Sequence, residues 1–217
     1  RQGYRLGNDT LYDHMVLDGL EDAYSTGQHM GHFAEQCAQN LKFSRQQQDA
    51  FALTSIERAR DAIKNHFFDE EICPVVTEHK GKESVVNSDE GPMSVSIDKI
   101  PTLKPAFVKD GTITAANASS ISDGGAAILL ASHVFAKEHA LKGIAQVIAH
   151  DTYAGVPDQF PTAPIEAIRN VLNKAQWSIE EVDLFEINEA FAAVTMAAMQ
   201  ALTIPHAKVN ILGGACI

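Results

Sequence analysis

The chain has 217 residues, of which 45% are hydrophobic, and a formal net charge of −11. This length and apolar content suffice for a buried core in one large domain or two small ones, and the negative charge argues against binding to nucleic acid or to an anionic membrane surface. No apolar run approaches the length of about 18 residues that a membrane-spanning helix needs.

The three cysteines, Cys37, Cys73 and Cys216, are far apart and odd in number. This usage is typical of reduced thiols in an intracellular protein, so a cytoplasmic location is predicted, although the mitochondrial matrix suits reduced thiols equally. The chain begins at Arg1, without an initiator Met or the apolar core of a signal peptide. We therefore expect a processed or partial chain.

The first part of the chain is predicted to be helical. A short helix is expected within residues 8–27, and a Gly-punctuated turn from Gln28 leads into a second helix. Ser44 and Gln47 have the spacing of a capping box, in which each side chain bonds the backbone N–H of the other residue. The helix that they start is predicted to end at about Asn65.

Residues 66–125 have a different pattern. Short β-like pieces at 75–77, 84–86 and 94–97 are separated by charged turns. A run of small residues then leads from Thr112 to Gly125. Small side chains there allow either a close approach of a ligand to the backbone or tight packing of two elements.

The last part of the chain alternates strands and helices. The apolar runs 126–132 and 144–149 predict buried strands, residues 133–141 predict a helix between them, and Thr162 with Pro164 predicts the start of another helix. This alternation indicates an α/β fold with mixed sheets covered by helices.

Asn188 lies between a predicted strand at 182–187 and a predicted helix at 189–202. Open α/β sheets place ligands and chemistry at such strand-to-helix junctions. An amide at this position can act in a site, or it can only cap the helix by accepting a bond from a free backbone N–H. The pattern alone favours the cap.

Two further features have a functional and a structural interpretation. His29 and His32, at i and i+3, could share a metal ion, but no third ligand has a suitable spacing, so no metal site is predicted. Cys216 follows a Gly-Gly turn, as a nucleophile can. An ordinary buried small residue is the favoured interpretation.

Lys99, Lys104 and Lys109 recur at intervals of five residues in an acidic chain. They could meet a phosphorylated ligand or form a solvated rim. No Gly-x-Gly-x-x-Gly occurs, so the glycine pairs do not indicate a dinucleotide site.

Five blocks, in the same order as in the family, resemble the thiolases. They are Gln28-His-Met-Gly-x-x-Ala-Glu35, Phe43-Ser-Arg-x-x-Gln-Asp49, Gly111-Thr-Ile-Thr-Ala-Ala-Asn-Ala-Ser119 with Asp123-Gly124, Asn188-Glu-Ala-Phe-Ala192, and Val209-Asn-x-x-Gly-Gly-Ala215. The first and third blocks, with Phe160-Pro-x-Ala-Pro164, are most similar to the acetoacetyl-CoA, biosynthetic-type branch.

The resemblance implies a thiolase fold that is represented only in part. Residues 1–121 would form the CoA-binding loop domain, 122–142 a return segment of the N-terminal domain, and 143–217 the first part of the C-terminal domain. No residue matches the family's nucleophilic cysteine or its Gly-His-Pro histidine. The chain therefore resembles the middle of a thiolase, inactive alone and stable only with further parts or in an oligomer.

The implied activity is that of an acetyl-CoA C-acetyltransferase, which reversibly condenses two acetyl-CoA to acetoacetyl-CoA and CoA. A longer-chain 3-ketoacyl-CoA thiolase and a non-catalytic CoA- or acyl-binding module are the alternatives. The implied ligands are acyl-CoA thioesters, with no permanently bound cofactor, and the implied assembly is a homodimer or homotetramer.

The resemblance also assigns roles to residues. Asn188 would be the catalytic residue that positions a water in the oxyanion hole for the developing enolate. The residues implied to bind substrate or CoA are Leu20, His29, Met30, Lys99, Phe107, Ala115, Ser119, Ile121 and Phe191.

Overall fold

The computed structural model describes residues 6–216, in which three helices pack around one Ala-rich helix. We label the helices α1 (Met30–Asn40), α2 (Arg45–Lys64), α3 (Gly91–Ser94), α4 (His133–Glu138), α5 (Ala163–Ala175) and α6 (Ala192–Leu202). The central helix α6 contacts α1, α2 and α5. Its small buried side chains allow these three helices to approach it closely.

The start of α2 confirms the predicted capping box. The Gln47 N–H donates to the Ser44 hydroxyl at 3.2 Å, and the Ser44 N–H donates to the Gln47 side-chain oxygen at 2.8 Å. The helix ends at Lys64 with Asn65 as its C-cap, as predicted. The helices predicted after Gln28 and at Pro164 are also confirmed, as α1 and α5.

Two short strands, β1 (Val75–His79) and β2 (Lys82–Val86), form an antiparallel hairpin. Lys80 and Gly81 both have positive φ angles, 51° and 74°, which suits a two-residue hairpin turn. The third β-like piece, at 94–97, was predicted wrongly. Ser94 ends α3 and Ile97 begins the 3₁₀ turn Ile97–Thr102. Between them, the Val95 carbonyl accepts a hydrogen bond from the Arg60 guanidinium at 2.6 Å instead of one from a strand N–H.

The strands predicted at 126–132 and 144–149 are wrong for the described structure. Both segments are irregular, and their apolar side chains are exposed, with Leu129 91% and Ile144 105% accessible. A strand needs a neighbour for its N–H and C=O groups, and within residues 6–216 neither segment has a strand partner. The helix between them, α4, ends at Glu138 instead of residue 141.

The strand predicted at 182–187 is reduced to one parallel bridge between Phe185 and Val209. The Phe185 N–H donates to the Lys208 carbonyl at 2.8 Å, and the Asn210 N–H donates to the Phe185 carbonyl at 2.9 Å. Phe185 and Ile187 point into the core, as the alternating pattern requires.

Two main apolar clusters form the core. One lies between α1 and α6 and includes Ala34, Ile113 and Phe191. The other joins α5 and α6 to the bridged segment, through Ile165, Phe185 and other residues. The helix predicted within residues 8–27 is a π-helical turn, Val16–Leu20. None of the helices described for residues 6–216 has the length and hydropathy needed to cross a membrane.

Candidate active site

Asn188 is exposed on an extended segment that leads into α6. The prediction that it caps this helix is wrong, because α6 begins at Ala192 and its N-cap is Phe191. Phe191 has an extended backbone, with φ −146° and ψ 151°, and pairs with Ala118. The Asn117 carbonyl accepts the N–H of Ala192 at 2.9 Å. The Asn188 amide is therefore not needed as a helix cap.

A cleft of about 650 Å³ opens beside Asn188. Its apolar walls come from α5, Phe160 and Val194. Its polar groups include Asn188, Glu186, His150 and Asp151. An exposed amide beside apolar walls can orient a water toward a carbonyl or thioester oxygen while the walls hold a short acyl chain.

The acidic groups around this cleft have different environments. Burial and the nearby charge of Glu189 raise the pKa of the Glu186 carboxyl. At Asp151 the backbone N–H of Thr152, at 2.7 Å, and the Lys174 ammonium lower the pKa. The environment thus favours the neutral form of the Glu186 carboxyl and the charged form of the Asp151 carboxyl.

The backbone that carries Asn188 is fixed by a buried asparagine. The Asn210 side chain accepts the Ile187 N–H at 2.8 Å and donates to the Ile187 carbonyl at 2.8 Å. The same side chain donates to the Glu189 carboxylate at 2.7 Å. Asn210 therefore holds the residues on both sides of Asn188.

Glu189 is buried, with 1% of its surface accessible, and sequence reasoning assigned it no role. Its carboxylate also accepts the Ser55 hydroxyl at 2.8 Å and the Cys216 N–H at 3.0 Å. A charged residue inside an otherwise Ala- and Phe-rich stretch could have indicated this network, because a buried carboxylate must find donors.

The Gly213-Gly214 pair allows the backbone to approach this carboxylate. A Cβ on Gly214 would lie 2.2 Å from the Glu189 side-chain carbon, and Gly213 has a φ of 93°. The Gly214 N–H donates to the Ser55 hydroxyl at 2.9 Å. Gly214 is therefore required for tight packing of the backbone against Glu189. At Gly124 and Gly125, in the small-residue run 112–125, nothing lies within 4 Å of an added Cβ, so tight packing does not explain that pair.

A second buried carboxylate organises residues 112–119. Glu35, also 1% accessible, accepts the Thr112 N–H at 2.8 Å and the Ile113 N–H at 2.7 Å. The loop then reaches the Asn188 region, because the Ser119 N–H donates to the Ala190 carbonyl at 3.0 Å. Ala115 and Ser119, both implied to bind CoA, are exposed on this loop.

Three of the residues implied to bind substrate come together beside α1. Phe107 lies edge-on to Phe191, with ring centroids 6.0 Å apart, and Met30 packs against the same cluster. The Phe107 ring covers Gly31, where an added Cβ would lie 2.3 Å from the ring. His29 is the N-cap of α1, and it bridges to Glu21, which directly follows Leu20.

The other implied residues lie further apart. Lys99 is exposed in the 3₁₀ turn Ile97–Thr102, which Arg45 holds by donating to the Ile100 carbonyl at 2.8 Å. Ile100 packs with Ala116, so this turn and the loop of Ala115 are neighbours. Ile121 is 74% accessible, on the exposed side of the same chain segment.

Comparison with known proteins gives the family of this chain. The model of the thiolase N-terminal domain matches residues 1–134, and that of the thiolase C-terminal domain matches residues 141–217. The chain belongs to the thiolase family. The sequence resemblance is thereby confirmed, and the fold is a thiolase fold that is represented in part.

The relatives carry related names. A probable acetyl-CoA acetyltransferase of Dictyostelium discoideum is 47% identical over 216 residues, covering 99% of this chain and 52% of that protein. The crystal structure of the Bacillus anthracis acetyl-CoA acetyltransferase is 38% identical with a TM-score of 0.93, covering 100% of this chain and 55% of that one. The thiolase Acat5 of Ascaris suum, solved in complex with coenzyme A, is 38% identical with a TM-score of 0.91, with the same coverage. The chain spans about half the length of the curated relatives that it matches.

Two of the three cysteines, Cys37 and Cys216, do not suit the thiolase nucleophile. Burial raises the pKa of the Cys37 thiol to about 11. The Cys216 thiol is fully buried, and its pKa is raised well above the ordinary value by burial and by the Glu189 carboxylate. Since the thiolate is the nucleophilic form, these environments oppose reactivity. The interpretation of Cys216 as a buried small residue is favoured by its position.

His29 and His32 form hydrogen bonds that cap the start of α1. Their ring centroids are 6.0 Å apart, and the His32 ring nitrogen accepts the His29 N–H at 3.0 Å. Within residues 6–216, no group of three or more His, Cys, Asp or Glu side chains is arranged to hold a metal ion.

Proposed function

We propose that this chain is the CoA-binding and oxyanion-stabilising part of an acetyl-CoA C-acetyltransferase, which reversibly converts two acetyl-CoA to acetoacetyl-CoA and CoA. The observation that carries the proposal is the exposed Asn188 amide beside an apolar cleft, on a backbone fixed by Asn210 and Glu189. An amide carried on such a fixed backbone suits stabilisation of charge that develops on a thioester oxygen.

In the proposed reaction Asn188 orients a water, and this water donates to the thioester oxygen as the enolate forms. The enolate then attacks an acyl group held on a cysteine. The carbon–carbon bond forms as the bond between the acyl carbon and the sulfur breaks, and the cysteine leaves as a thiolate. That cysteine is none of the three in this chain, and no Gly-His-Pro histidine occurs in the 217 residues. The nucleophile and the proton-transfer groups are therefore proposed to come from residues outside them.

The CoA moiety is proposed to lie along the surface formed by α1 and the loop 112–119. Leu20, His29, Met30 and Phe107 would contact the pantetheine, and Phe191 would support the acyl pocket. Lys99 is an exposed cation in an acidic chain, which suits a nucleotide phosphate. Ala115, Ser119 and Ile121 would complete the binding surface.

A longer-chain 3-ketoacyl-CoA thiolase is the second candidate. It is favoured by the apolar side chains of the cleft walls, which suit a longer hydrocarbon chain as well as acetyl. Thiolysis of 3-ketoacyl-CoA substrates of increasing length separates the two candidates. Activity highest for the four-carbon substrate supports the acetoacetyl assignment, and a maximum at longer chains overturns it.

The deciding assay uses the complete natural protein that contains these residues. Thiolysis of acetoacetyl-CoA by CoA, followed by loss of the enolate absorbance, is the expected activity. A non-catalytic binding module would instead give saturable CoA binding by calorimetry without thiolysis. Absence of both would reject the acyltransferase and the binding module together.

The domain organisation and assembly are proposed on the same basis. Residues 1–121 would be the loop domain, 122–142 the return segment, and 143–217 the first part of the C-terminal domain. A homodimer or homotetramer in the cytoplasm or mitochondrial matrix is proposed. The free Cys37, Cys73 and Cys216 suit a reducing compartment.

A further inference from the structure

We infer that Glu189 is a positioning residue, whose buried carboxylate sets the place of the neighbouring Asn188 amide in the proposed acyl transfer. This inference rests on the proposed function and adds a residue to it. Glu189 itself does not line the cleft and is 1% accessible. It would therefore act only through the backbone and side chains that it holds.

The carboxylate is bound by donors from three separate parts of the chain. They are the Ser55 hydroxyl of α2, the Asn210 side-chain amide and the Cys216 backbone N–H, at 2.8, 2.7 and 3.0 Å. All three donors are neutral, and within residues 6–216 no Lys, Arg or His forms an ion pair with Glu189. Burying a charge in this way is costly, and the hydrogen bonds must compensate for it.

Asn210 connects this carboxylate to Asn188. Its side chain holds both the N–H and the carbonyl of Ile187, so its amide orientation is fixed by two opposed bonds. The remaining amide hydrogen is then directed at Glu189. Asn188 lies between Ile187 and Glu189 and is fixed on both sides, although its own side chain is exposed.

A carboxylate is required here because all the groups that face it are donors. In Glu189→Gln, an NH₂ group replaces one of the two accepting oxygens. That group meets either Asn210 or the pair of Ser55 and Cys216, so at least one donor loses its acceptor. Adjustment of Asn210 would break its bonds to Ile187 and move the Asn188 backbone.

Glu35 provides a matched control, because it is another carboxylate with 1% accessibility that is held by neutral donors. It fixes the backbone of Thr112 and Ile113, in the loop proposed to bind CoA. Glu35→Gln removes the same kind of acceptor at the same burial. We expect its main effect on substrate binding, as a higher KM, and not on kcat.

The experiment compares kcat and KM for acetoacetyl-CoA thiolysis in the complete natural protein and these two variants. Glu189→Gln is expected to lower kcat by about 100-fold while KM changes by less than about threefold, since small displacements of a catalytic group have effects of this order. Wild-type kcat in a folded Glu189→Gln protein overturns the inference. A rise in KM in Glu189→Gln as large as the fall in kcat also overturns it, because Glu189 would then act on substrate binding and not on the placement of Asn188.

Hydrogen exchange gives a readout that does not depend on activity. Peptides covering residues 185–190 are expected to exchange faster in Glu189→Gln and at the wild-type rate in Glu35→Gln. If the wild-type protein shows no thiolysis, the proposed function fails, and exchange still decides on Glu189. Unchanged exchange over 185–190 in Glu189→Gln rejects its positioning role.

Discussion

At the scale of single residues, Asn188 is held in place by the hydrogen bonds of its two neighbours. Its own side chain, which is proposed to face the substrate, does not contribute to this. Asn188 is exposed, whereas Ile187 and Glu189 on either side are buried and bonded. An exposed amide between two anchored residues has little conformational freedom in its backbone. This arrangement is expected of a preorganised group, whose position is set before the ligand binds.

Asn188→Ala should reduce turnover far more than CoA affinity. Loss of a single oxyanion-hole donor typically lowers kcat by about 100-fold or more, whereas Asn188 is not proposed to contact CoA. The measurements are kcat for acetoacetyl-CoA thiolysis and the Kd for CoA in the complete natural protein. Asn173→Ala is the control, because Asn173 is an exposed asparagine outside the cleft. Undiminished turnover in Asn188→Ala would mean that the amide has no catalytic role.

Gly214→Ala should destabilise the fold. The added Cβ would lie 2.2 Å from the Glu189 side-chain carbon, so the carboxylate must move from its donors. Overpacking of this kind costs about 1–3 kcal/mol, to be measured as the free energy of unfolding in denaturant. Gly91→Ala is the control, since nothing lies within 4 Å of a Cβ at that position. Equal unfolding free energies for the two variants would contradict the tight packing.

At the scale of elements, α2 is joined to the end of the chain by an aromatic contact as well as by hydrogen bonds. The His206 ring stacks on Phe51 with a centroid distance of 4.8 Å. Arg58 donates to the backbone carbonyls of Val209 and His206 at 2.6 and 3.0 Å. The contact between α2 and residues 206–210 therefore combines stacking with a cation that lies close to the imidazole.

This contact should weaken in acid. Burial, followed by the Arg58 charge, lowers the pKa of His206. In the unfolded chain the pKa of His206 is about 6.5, so the unfolded chain binds the proton more readily than the folded one. The contribution of neutral His206 to stability is therefore fully present above about pH 6.5, and it is lost as the pH falls through the pKa of His206 in the folded protein. The free energy of unfolding of the complete natural protein, measured between about pH 7.5 and 5, should fall more for wild type than for His206→Gln. Parallel curves would contradict the assignment.

Local signals in the sequence predicted the starts of α2 and α5. The Ser44–Gln47 box and Pro164 act within one helical turn, and α2 and α5 begin where these residues place them. The strands at 126–132 and 144–149 failed because pairing depends on distant partners. The catalytic role proposed for Asn188 comes from the family motif, whereas the contacts of Asn210 and Glu189 span more than 20 residues of sequence and could not be predicted from local pattern.

At the scale of the whole molecule, two apolar segments are left uncovered. Ile128, Leu129 and Leu130 are 76–91% accessible, and Ile144 and Val147 are 105% and 70% accessible. Exposed apolar patches of more than a few hundred Å² mark interfaces or promote association. The sequence-based expectation that this chain needs further parts or an oligomer predicts exposure of this kind.

The 217-residue chain by itself should therefore associate in solution. Sedimentation velocity is expected to show concentration-dependent oligomers, and Leu129→Lys combined with Ile144→Lys should increase the monomer fraction severalfold. Tyr24→Lys controls for added charge, because Tyr24 is an exposed apolar residue outside both segments. A wild-type chain that sediments as one monomeric species and unfolds cooperatively would refute this expectation.

The Ser55 hydroxyl belongs to the region matched by the N-terminal domain model, and both of its partners, Glu189 and Gly214, belong to the region matched by the C-terminal domain model. This hydroxyl adds to the other contacts that join the two matched regions, such as the bonds from Arg58 to the carbonyls of Val209 and His206. A chimaera that joins the first half of one relative to the second half of another would leave Glu189 without one of its three donors unless residue 55 remained Ser or Thr. The two regions should therefore tolerate exchange between thiolases as a matched pair, and not as independent modules.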